Sequence, residues 1–139
     1  MPHLTTSLLP DTDVLVDFLR GHPDAVAYVK SQSERIVLSA VVAAELYAGV
    51  RDAEELQRLD EFLSQFAILP VTWELARSAG LLRRDYRKSH GVGLADAIIA
   101  ATAKAHGAEV GTLNVKHYPM LKGLKPPYTK KPPFQGRHA

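Results

Sequence analysis

Short runs of apolar residues alternate along the chain with longer stretches in which apolar positions repeat at helical spacing. The short runs are rich in Leu, Ile and Val, have the length of buried β-strands, and cover residues 4–10, 36–38, 67–71 and 110–113. Strands that alternate with helices in this way are typical of an α/β domain. The pattern therefore predicts an α/β fold with a small, mostly parallel central sheet flanked by helices.

The amphipathic stretches between these runs begin at capping residues and end at glycines. Asp13 is expected to cap a short helix over residues 14–20, and Thr72 to cap a long helix that continues to about residue 90. Further helices are predicted over residues 23–31, 40–50 and 94–106, with an amphipathic stretch that begins at residue 52. The apolar stripe of this last stretch is interpreted as core, with a partner-binding surface as the alternative; it consists of Leu56, Leu59, Phe62, Leu63 and Phe66.

The composition is that of one ordinary globular domain. The 139 residues are 46% hydrophobic and 23% charged, which excludes disorder over the whole length. The absence of cysteine excludes a disulfide scaffold, a thiolate zinc site and a cysteine nucleophile. No apolar run reaches the ~18 residues of a membrane-spanning helix, and the first residues lack the basic start of a signal peptide. We therefore expect a cytoplasmic protein that is not bound to a membrane.

The net charge of +2 is unevenly distributed. Residues 1–115 hold 11 basic and 15 acidic residues and carry −4, whereas residues 116–139 hold 6 basic residues and no acid and carry +6. A basic tail of this kind can bind a polyanion, but it can equally be a solvated terminus. We assign a domain to residues 1–128 and a basic, proline-rich tail to residues 129–139.

Three acidic residues lie where a carboxylate can do chemistry. Asp11 directly follows the first predicted strand, at the sheet edge where ligands usually bind, although a turn or cap role explains it equally well. Glu45 shares its helix face with apolar residues three and four positions away, so we expect it to be buried; a place at the edge of that face, or an arginine partner, is the alternative. Asp96 lies in the first turn of a nearly uncharged helix, where the helix dipole alone would favour it.

Carboxylates that converge on one point are suited to bind a hard divalent cation such as Mg²⁺ or Mn²⁺. A cation held in this way suits phosphoryl chemistry, because it lowers the pKa of a bound water and neutralises charge on the phosphate. The sequence holds no evident Ser-His-Asp triad, P-loop, dinucleotide fingerprint or HExxH zinc motif. The three acids are therefore the best candidates for a catalytic site.

Four motifs follow one another along the chain: LLPDTDVLVDFL, SAVVAAELYAGV, GLADAIIAATAKAHG and TLNVKHYPML. In this order they resemble the motifs of PIN-domain proteins, and most closely those of the VapC-like ribonuclease toxins of prokaryotic toxin–antitoxin pairs. The resemblance extends from Leu8 to about Tyr128. It implies a PIN-like three-layer α/β fold and a Mg²⁺- or Mn²⁺-dependent endoribonuclease that leaves 5′-phosphate and 3′-hydroxyl ends.

The resemblance also implies roles for individual residues. By motif position, Asp11, Glu45 and Asp96 are the catalytic and metal-binding acids. The polar residues expected beside them are Thr12, Ser39, Thr112 and Asn114. The family often has a fourth acid three residues after the asparagine, but this chain has His117 there, which bears on a two-metal mechanism more than on activity. A neutral histidine can still bind a metal or contact a phosphate.

Basic residues would then hold the RNA backbone. A cluster on the helix before Gly91 consists of Arg77, Arg83, Arg84, Arg87 and Lys88, with Asp85 as the only acid among residues 77–88. The lysines of residues 116–139 are further candidates: Lys116, Lys122, Lys125, Lys130 and Lys131. A solvated surface explains either group equally well. The resemblance implies two partners besides RNA, a small VapB-like antitoxin and a second copy of the chain in a homodimer.

Two other classes of function compete with this hypothesis. A phosphatase of the haloacid-dehalogenase type is suggested by the DTDVL segment, in which Asp11 would be a nucleophile and Asp13 an acid and base. Against it, Leu15 replaces the usual Thr or Val and no later acidic pair is present. The second alternative is a non-catalytic PIN module that binds RNA or a partner, supported only by His117 at the position of the fourth acid.

Overall fold

Strands and helices alternate in the computed structural model, which describes residues 6–130. In chain order the elements are β1 (Leu8–Pro10), α1 (Thr12–Leu19), α2 (Pro23–Gln32), β2 (Leu38–Ser39), α3 (Ala40–Ala48), α4 (Ala53–Leu63), β3 (Ile68–Leu69), α5 (Trp73–His90), α6 (Leu94–His106) and β4 (Glu109–Gly111). Residues 4 and 5 of the first predicted strand and residues 131–139 of the predicted tail, Lys131 among them, lie outside the described residues.

All strand pairings among residues 6–130 are parallel, as the alternation of strands and helices predicts. β1 pairs with β4, and β2 pairs with β3. A single bridge between Leu8 and Ile36 joins the two pairs, and there the Val37 N–H donates to the Leu8 carbonyl at 2.9 Å. The carboxyl ends of the strands therefore share one edge of the sheet, where ligands bind in parallel α/β folds.

The observed strands are shorter than the apolar runs that predicted them. β3 covers two residues of the predicted five, and β4 ends at Gly111 instead of residue 113. β4 ends early because the backbone that follows it hydrogen-bonds to a side chain and not to a neighbouring strand. The Leu113 N–H donates to the Asp13 carboxylate at 3.0 Å. The prediction that residues 110–113 form one strand is thus wrong at its carboxyl end.

Helix α1 begins two residues earlier than predicted. Asp11, and not Asp13, is its N-cap: the Asp11 backbone is extended, and its Oδ1 accepts a hydrogen bond from the Thr12 N–H at 2.8 Å. The other predicted helix boundaries hold more closely. Thr72 caps α5 through its Oγ1, which accepts from the Leu75 N–H at 3.1 Å, and α6 is followed by Gly107 in the left-handed conformation, with φ of 63°.

The core lies between the sheet and the helices. Leu9, Leu15 and Leu38 are fully buried, and the middle of α6 is buried at residues 97 and 99–103, in line with its nearly uncharged sequence. The apolar stripe of α4 is mainly core, since Leu59, Phe62 and Leu63 are buried, whereas Leu56 is 42% exposed at its amino-terminal end. None of the helices among residues 6–130 combines the length and the apolar character that a membrane crossing requires.

The segment after β4 returns to α1 and is tied to it at Asp17. The Asp17 side chain is 8% exposed; its Oδ2 accepts a hydrogen bond from the Tyr128 hydroxyl at 2.9 Å, and its Oδ1 pairs with the Lys130 ammonium at 2.9 Å. Burial by itself would raise the pKa of Asp17, but the hydrogen bonds from Lys130 and Tyr128 outweigh it and hold the pKa below its usual value. Lys130, from the predicted basic tail, is thereby paired with a residue of the predicted domain over residues 1–128.

Replacing Lys130 with methionine is expected to lower the free energy of unfolding at neutral pH by about 1 kcal/mol, because it leaves a buried carboxylate with one donor fewer. Since the native pKa of Asp17 is lowered, this contribution is present above the unfolded value of 3.8 and is lost as the pH falls through the native pKa. Urea unfolding at neutral pH, and again at a pH below the native pKa of Asp17, measures this contribution. Lys125→Met is the matched control, because Lys125 is an exposed lysine of the same segment without an acidic partner among residues 6–130. An equal effect of both substitutions would contradict the role of the Asp17–Lys130 pair.

Candidate active site

Four acidic side chains lie at the edge of the sheet where the strands end. Asp11 follows β1 and Asp13 lies in the first turn of α1, so both are placed by the same strand–helix junction. Glu45 comes from α3, which follows β2 directly. Asp96 lies in the first turn of α6. Two helix starts and the second turn of α3 therefore supply carboxylates to one region.

Asp11 is the most enclosed of these acids, with 6% of its surface exposed. Its Oδ2 accepts hydrogen bonds from the Thr112 hydroxyl and from the Tyr118 hydroxyl, both at 2.9 Å. Its Oδ1 accepts the capping bond from the Thr12 N–H. Three donors from different parts of the chain thus fix the orientation of this carboxylate.

Asp96 is half-buried and lies within reach of the same tyrosine. Its Oδ2 accepts a hydrogen bond from the Gly93 N–H at 3.3 Å, and its Oδ1 lies 3.5 Å from the Tyr118 hydroxyl oxygen. Burial raises the pKa of Asp96, and the negative charges of Asp11 and Glu45 raise it further, whereas the Gly93 bond and His117 lower it. The three acids predicted from the sequence therefore share one electrostatic environment.

Glu45 is exposed, so the prediction that it is buried on an apolar helix face is wrong. The buried residues of α3 are Val42, Ala43 and Leu46, and Glu45 lies at the edge of this face. The alternative of an edge position is the one observed. The Glu45 carboxylate accepts a hydrogen bond from the Thr12 hydroxyl, which places it beside the residue that follows Asp11.

The other polar residues predicted for the site have separate structural contacts. Ser39 is buried and caps α3, where its Oγ accepts from the Val41 N–H at 3.2 Å. Thr112 is fully buried and, besides its bond to Asp11, accepts from the Asn114 N–H at 3.0 Å. The Asn114 amide donates to Asp13 Oδ2 at 3.2 Å. His117 Nδ1 lies 3.5 Å from Asp96 Oδ2.

Asp13 is a fourth acid of the site, which the sequence analysis treated only as a helix cap or a phosphatase residue. Its Oδ2 accepts from the Leu113 N–H at 3.0 Å and from Asn114, so it holds the loop that follows β4. Burial raises the pKa of Asp13 to about 6; the charge of Asp11 adds to this shift, and hydrogen bonds from Leu113 and Val14 oppose it. The signal for Asp13 was its place two residues after Asp11.

Tyr118 is a site residue that the sequence analysis missed altogether. It is 1% exposed, and its hydroxyl lies between Asp11 and Asp96. Burial raises its pKa far above the usual value, and the charges of Asp11 and Asp96 raise it further, so the hydroxyl stays protonated and donates. The only sequence signal was its position at the end of the last motif.

The chemistry of these side chains fits a hard divalent cation. Four carboxylates supply oxygen ligands of the kind that Mg²⁺ and Mn²⁺ prefer. Within residues 6–130, the only ion pair that they form is the 3.5 Å contact between Asp96 and His117, so most of their negative charge is not balanced by a cationic side chain. No three acidic or histidine side chains of the described segment already converge at ligating distances. A cation would therefore have to draw the carboxylates together.

Most of the predicted RNA-binding residues of α5 lie near the carboxyl end of this helix. The helix ends four residues before α6 begins. Arg87 and Lys88 are exposed, Arg84 pairs with Asp85 at 3.0 Å, and Arg83 is half-buried. Arg83 Nε is buried without a hydrogen-bond partner among the described residues. Lys116, a further candidate, is exposed in the short 3₁₀ turn Val115–His117 beside the site.

The chain is similar to known proteins over most of its length. The PIN domain matches residues 8–118. Ribonuclease VapC19 of Mycobacterium tuberculosis is 44% identical over 124 residues, which are 86% of this chain and 98% of that protein. A toxin–antitoxin complex from Klebsiella pneumoniae superimposes with a TM-score of 0.76 at 30% identity, over 88% of this chain and 98% of its counterpart. VapBC2 from Rickettsia felis, bound to a DNA fragment from its promoter, superimposes with a TM-score of 0.69 at 26% identity, over 86% of this chain and 96% of its counterpart.

Proposed function

This chain belongs to the PIN-domain family and, within it, to the VapC-like proteins, and on that premise we propose that it is a ribonuclease toxin of a toxin–antitoxin pair. We propose further that it is an endoribonuclease that depends on Mg²⁺ or Mn²⁺. The observation that carries the proposal is the gathering of acids at the end of the sheet, where the Tyr118 hydroxyl lies beside Asp11 and Asp96, and the charges of Asp11 and Glu45 raise the pKa of Asp96. By the resemblance of the motifs, Asp11, Glu45 and Asp96 are also the acids expected to bind the metal.

Asp11, Glu45 and Asp96 would hold the metal ion. When bound, the ion supplies Lewis-acid chemistry: it lowers the pKa of a water and offsets the charge that develops on the phosphate. Asp11 is the fixed member of the set, since three hydrogen bonds orient it. Glu45 is the exposed member and can approach substrate or ion from the solvent side. His117, beside Asp96, can donate to a phosphate oxygen.

The substrate would be RNA, held by its phosphates. Arg87 and Lys88 are exposed near the carboxyl end of α5, and Lys116 is exposed beside Asn114, so these three residues are candidates for contacts with phosphates. The net charge of −4 on residues 1–115 does not prevent RNA binding, because a bound divalent cation offsets part of the charge of the acids. We expect contacts with the RNA phosphates, and no aromatic cluster in the sequence suggests a platform for stacked bases.

We propose a small VapB-like antitoxin as the protein partner. The support is the similarity to toxin–antitoxin complexes over most of both chains. A homodimer and a cytoplasmic location remain predictions from the sequence. The phosphatase alternative has no support from the site, because the Asp13 carboxylate that would act as acid and base is occupied by Leu113 and Asn114.

Asp96→Asn is expected to lower the rate of RNA cleavage by ~10³-fold or more, because a metal ion contributes several kcal/mol of transition-state stabilisation and this change weakens its binding. The purified protein would be incubated with labelled RNA and Mn²⁺, and circular dichroism would verify the fold. Asp24→Asn, at an exposed position in α2, is the matched control and should cleave like the unsubstituted protein. Retained cleavage by Asp96→Asn would contradict the assignment of the site.

The double substitution Arg87→Gln with Lys88→Gln is expected to weaken RNA binding and to make it less sensitive to salt. If both residues neutralise a phosphate, the slope of log K against log salt should become shallower by about 1.4 for single-stranded RNA. Binding is measured in the Asp96→Asn background, so that the RNA stays intact. Arg58→Gln, on the exposed side of α4, is the control for the loss of one positive charge. An unchanged slope in the double variant would remove α5 from the RNA interface.

A further inference from the structure

The hydroxyl of Tyr118 lies between two carboxylates that belong to different junctions of the fold. Its oxygen is 2.9 Å from Asp11 Oδ2 and 3.5 Å from Asp96 Oδ1. The side chain is 1% exposed, so no water can replace this donor without a rearrangement of the core. Tyr118 is therefore the one side chain of residues 6–130 that contacts both acids.

The hydrogen bonds at Asp11 divide its two oxygens into different roles. Oδ2 accepts from both the Tyr118 and the Thr112 hydroxyls, which engages both of its lone pairs. Oδ1 accepts a single hydrogen bond within the described chain, from the Thr12 N–H, and so keeps one lone pair free. A fixed carboxylate with one free lone pair on a defined oxygen is arranged to bind an ion through that oxygen.

We propose that Tyr118 is a positioning residue, which prepares Asp11 for metal binding. Its hydroxyl donates to Oδ2 of Asp11 and fixes the orientation of this carboxylate, so that Oδ1 is already available when an ion binds. Loss of a partner that hydrogen-bonds to a metal-binding carboxylate commonly lowers metal affinity by about 10- to 100-fold. The inference rests on the proposed function, since it requires the site to bind a divalent cation.

The test is a titration of chelator-treated, full-length protein with Mn²⁺, in which free Mn²⁺ is measured by electron paramagnetic resonance. Tyr118→Phe keeps the buried ring and removes only the hydroxyl. It should weaken Mn²⁺ binding by about 10- to 100-fold, the range typical of such partners. The Mn²⁺ concentration that gives half-maximal RNA cleavage should rise by the same factor, whereas packing of the ring alone would leave both quantities unchanged.

The chain offers a matched control for this substitution. The Tyr128 hydroxyl also donates to a carboxylate oxygen at 2.9 Å, but its acceptor is Asp17, outside the site. Tyr128→Phe should therefore leave the affinity for Mn²⁺ unchanged while it removes the same kind of hydrogen bond. If both variants weaken the binding equally, the effect is general destabilisation and the proposal is overturned.

Each remaining outcome decides between the inference and the function on which it rests. Unchanged or tighter Mn²⁺ binding by folded Tyr118→Phe, with normal binding by the unsubstituted protein, overturns the positioning role alone. Failure of the unsubstituted protein to bind Mn²⁺ contradicts the proposed metal dependence itself. If Tyr118→Phe does not fold, Thr112→Val removes the other hydroxyl from Asp11 Oδ2, and unchanged binding by this variant overturns the proposal as well.

Discussion

A carboxylate that is withdrawn from water needs donors or a cation, and Asp11 receives three donors from three parts of the chain. The Thr12 N–H ties it to α1, the Thr112 hydroxyl to the loop after β4, and the Tyr118 hydroxyl to the segment that approaches α6. The same bonds that satisfy this carboxylate therefore fix where α1 begins, tie the loop after β4 to that helix and place the Tyr118 hydroxyl beside Asp96. Much of the geometry of the site follows from this one constraint.

The sequence predicts the parts of the site that depend on local pattern. Asp11 and Asp96 are found because a strand end and the first turn of a buried helix are visible in the order of residues. Glu45 is found for the wrong reason: small residues such as Ala48 and Gly49 count as apolar, yet they are exposed where α3 ends and do not define a buried face. The exposed edge position results from tertiary packing, which helical periodicity cannot supply.

What the sequence could not predict depends on contacts between distant residues. Tyr118 acts at Asp11 across 107 positions, and Asp13 holds Leu113 across 100, so neither role leaves a periodic signal. The same holds for the residues after β4, where the Leu113 N–H donates to the Asp13 side chain and not to another strand. The basic segment shows the converse case: Lys130, a candidate for RNA binding from the sequence, is paired with buried Asp17, so charge counting overstates the positive charge available for RNA.

The central claim is that this cluster of carboxylates hydrolyses RNA only with a divalent cation. The direct measurement is cleavage of RNA by the purified protein with chelator present, and again after Mn²⁺ is restored in excess, with the chemistry of the new ends determined. The account predicts that cleavage stops, then resumes, and that the products carry 5′-phosphate and 3′-hydroxyl ends. Cleavage that persists in chelator, or that leaves cyclic phosphate ends, would contradict it and would direct attention to a mechanism without metal.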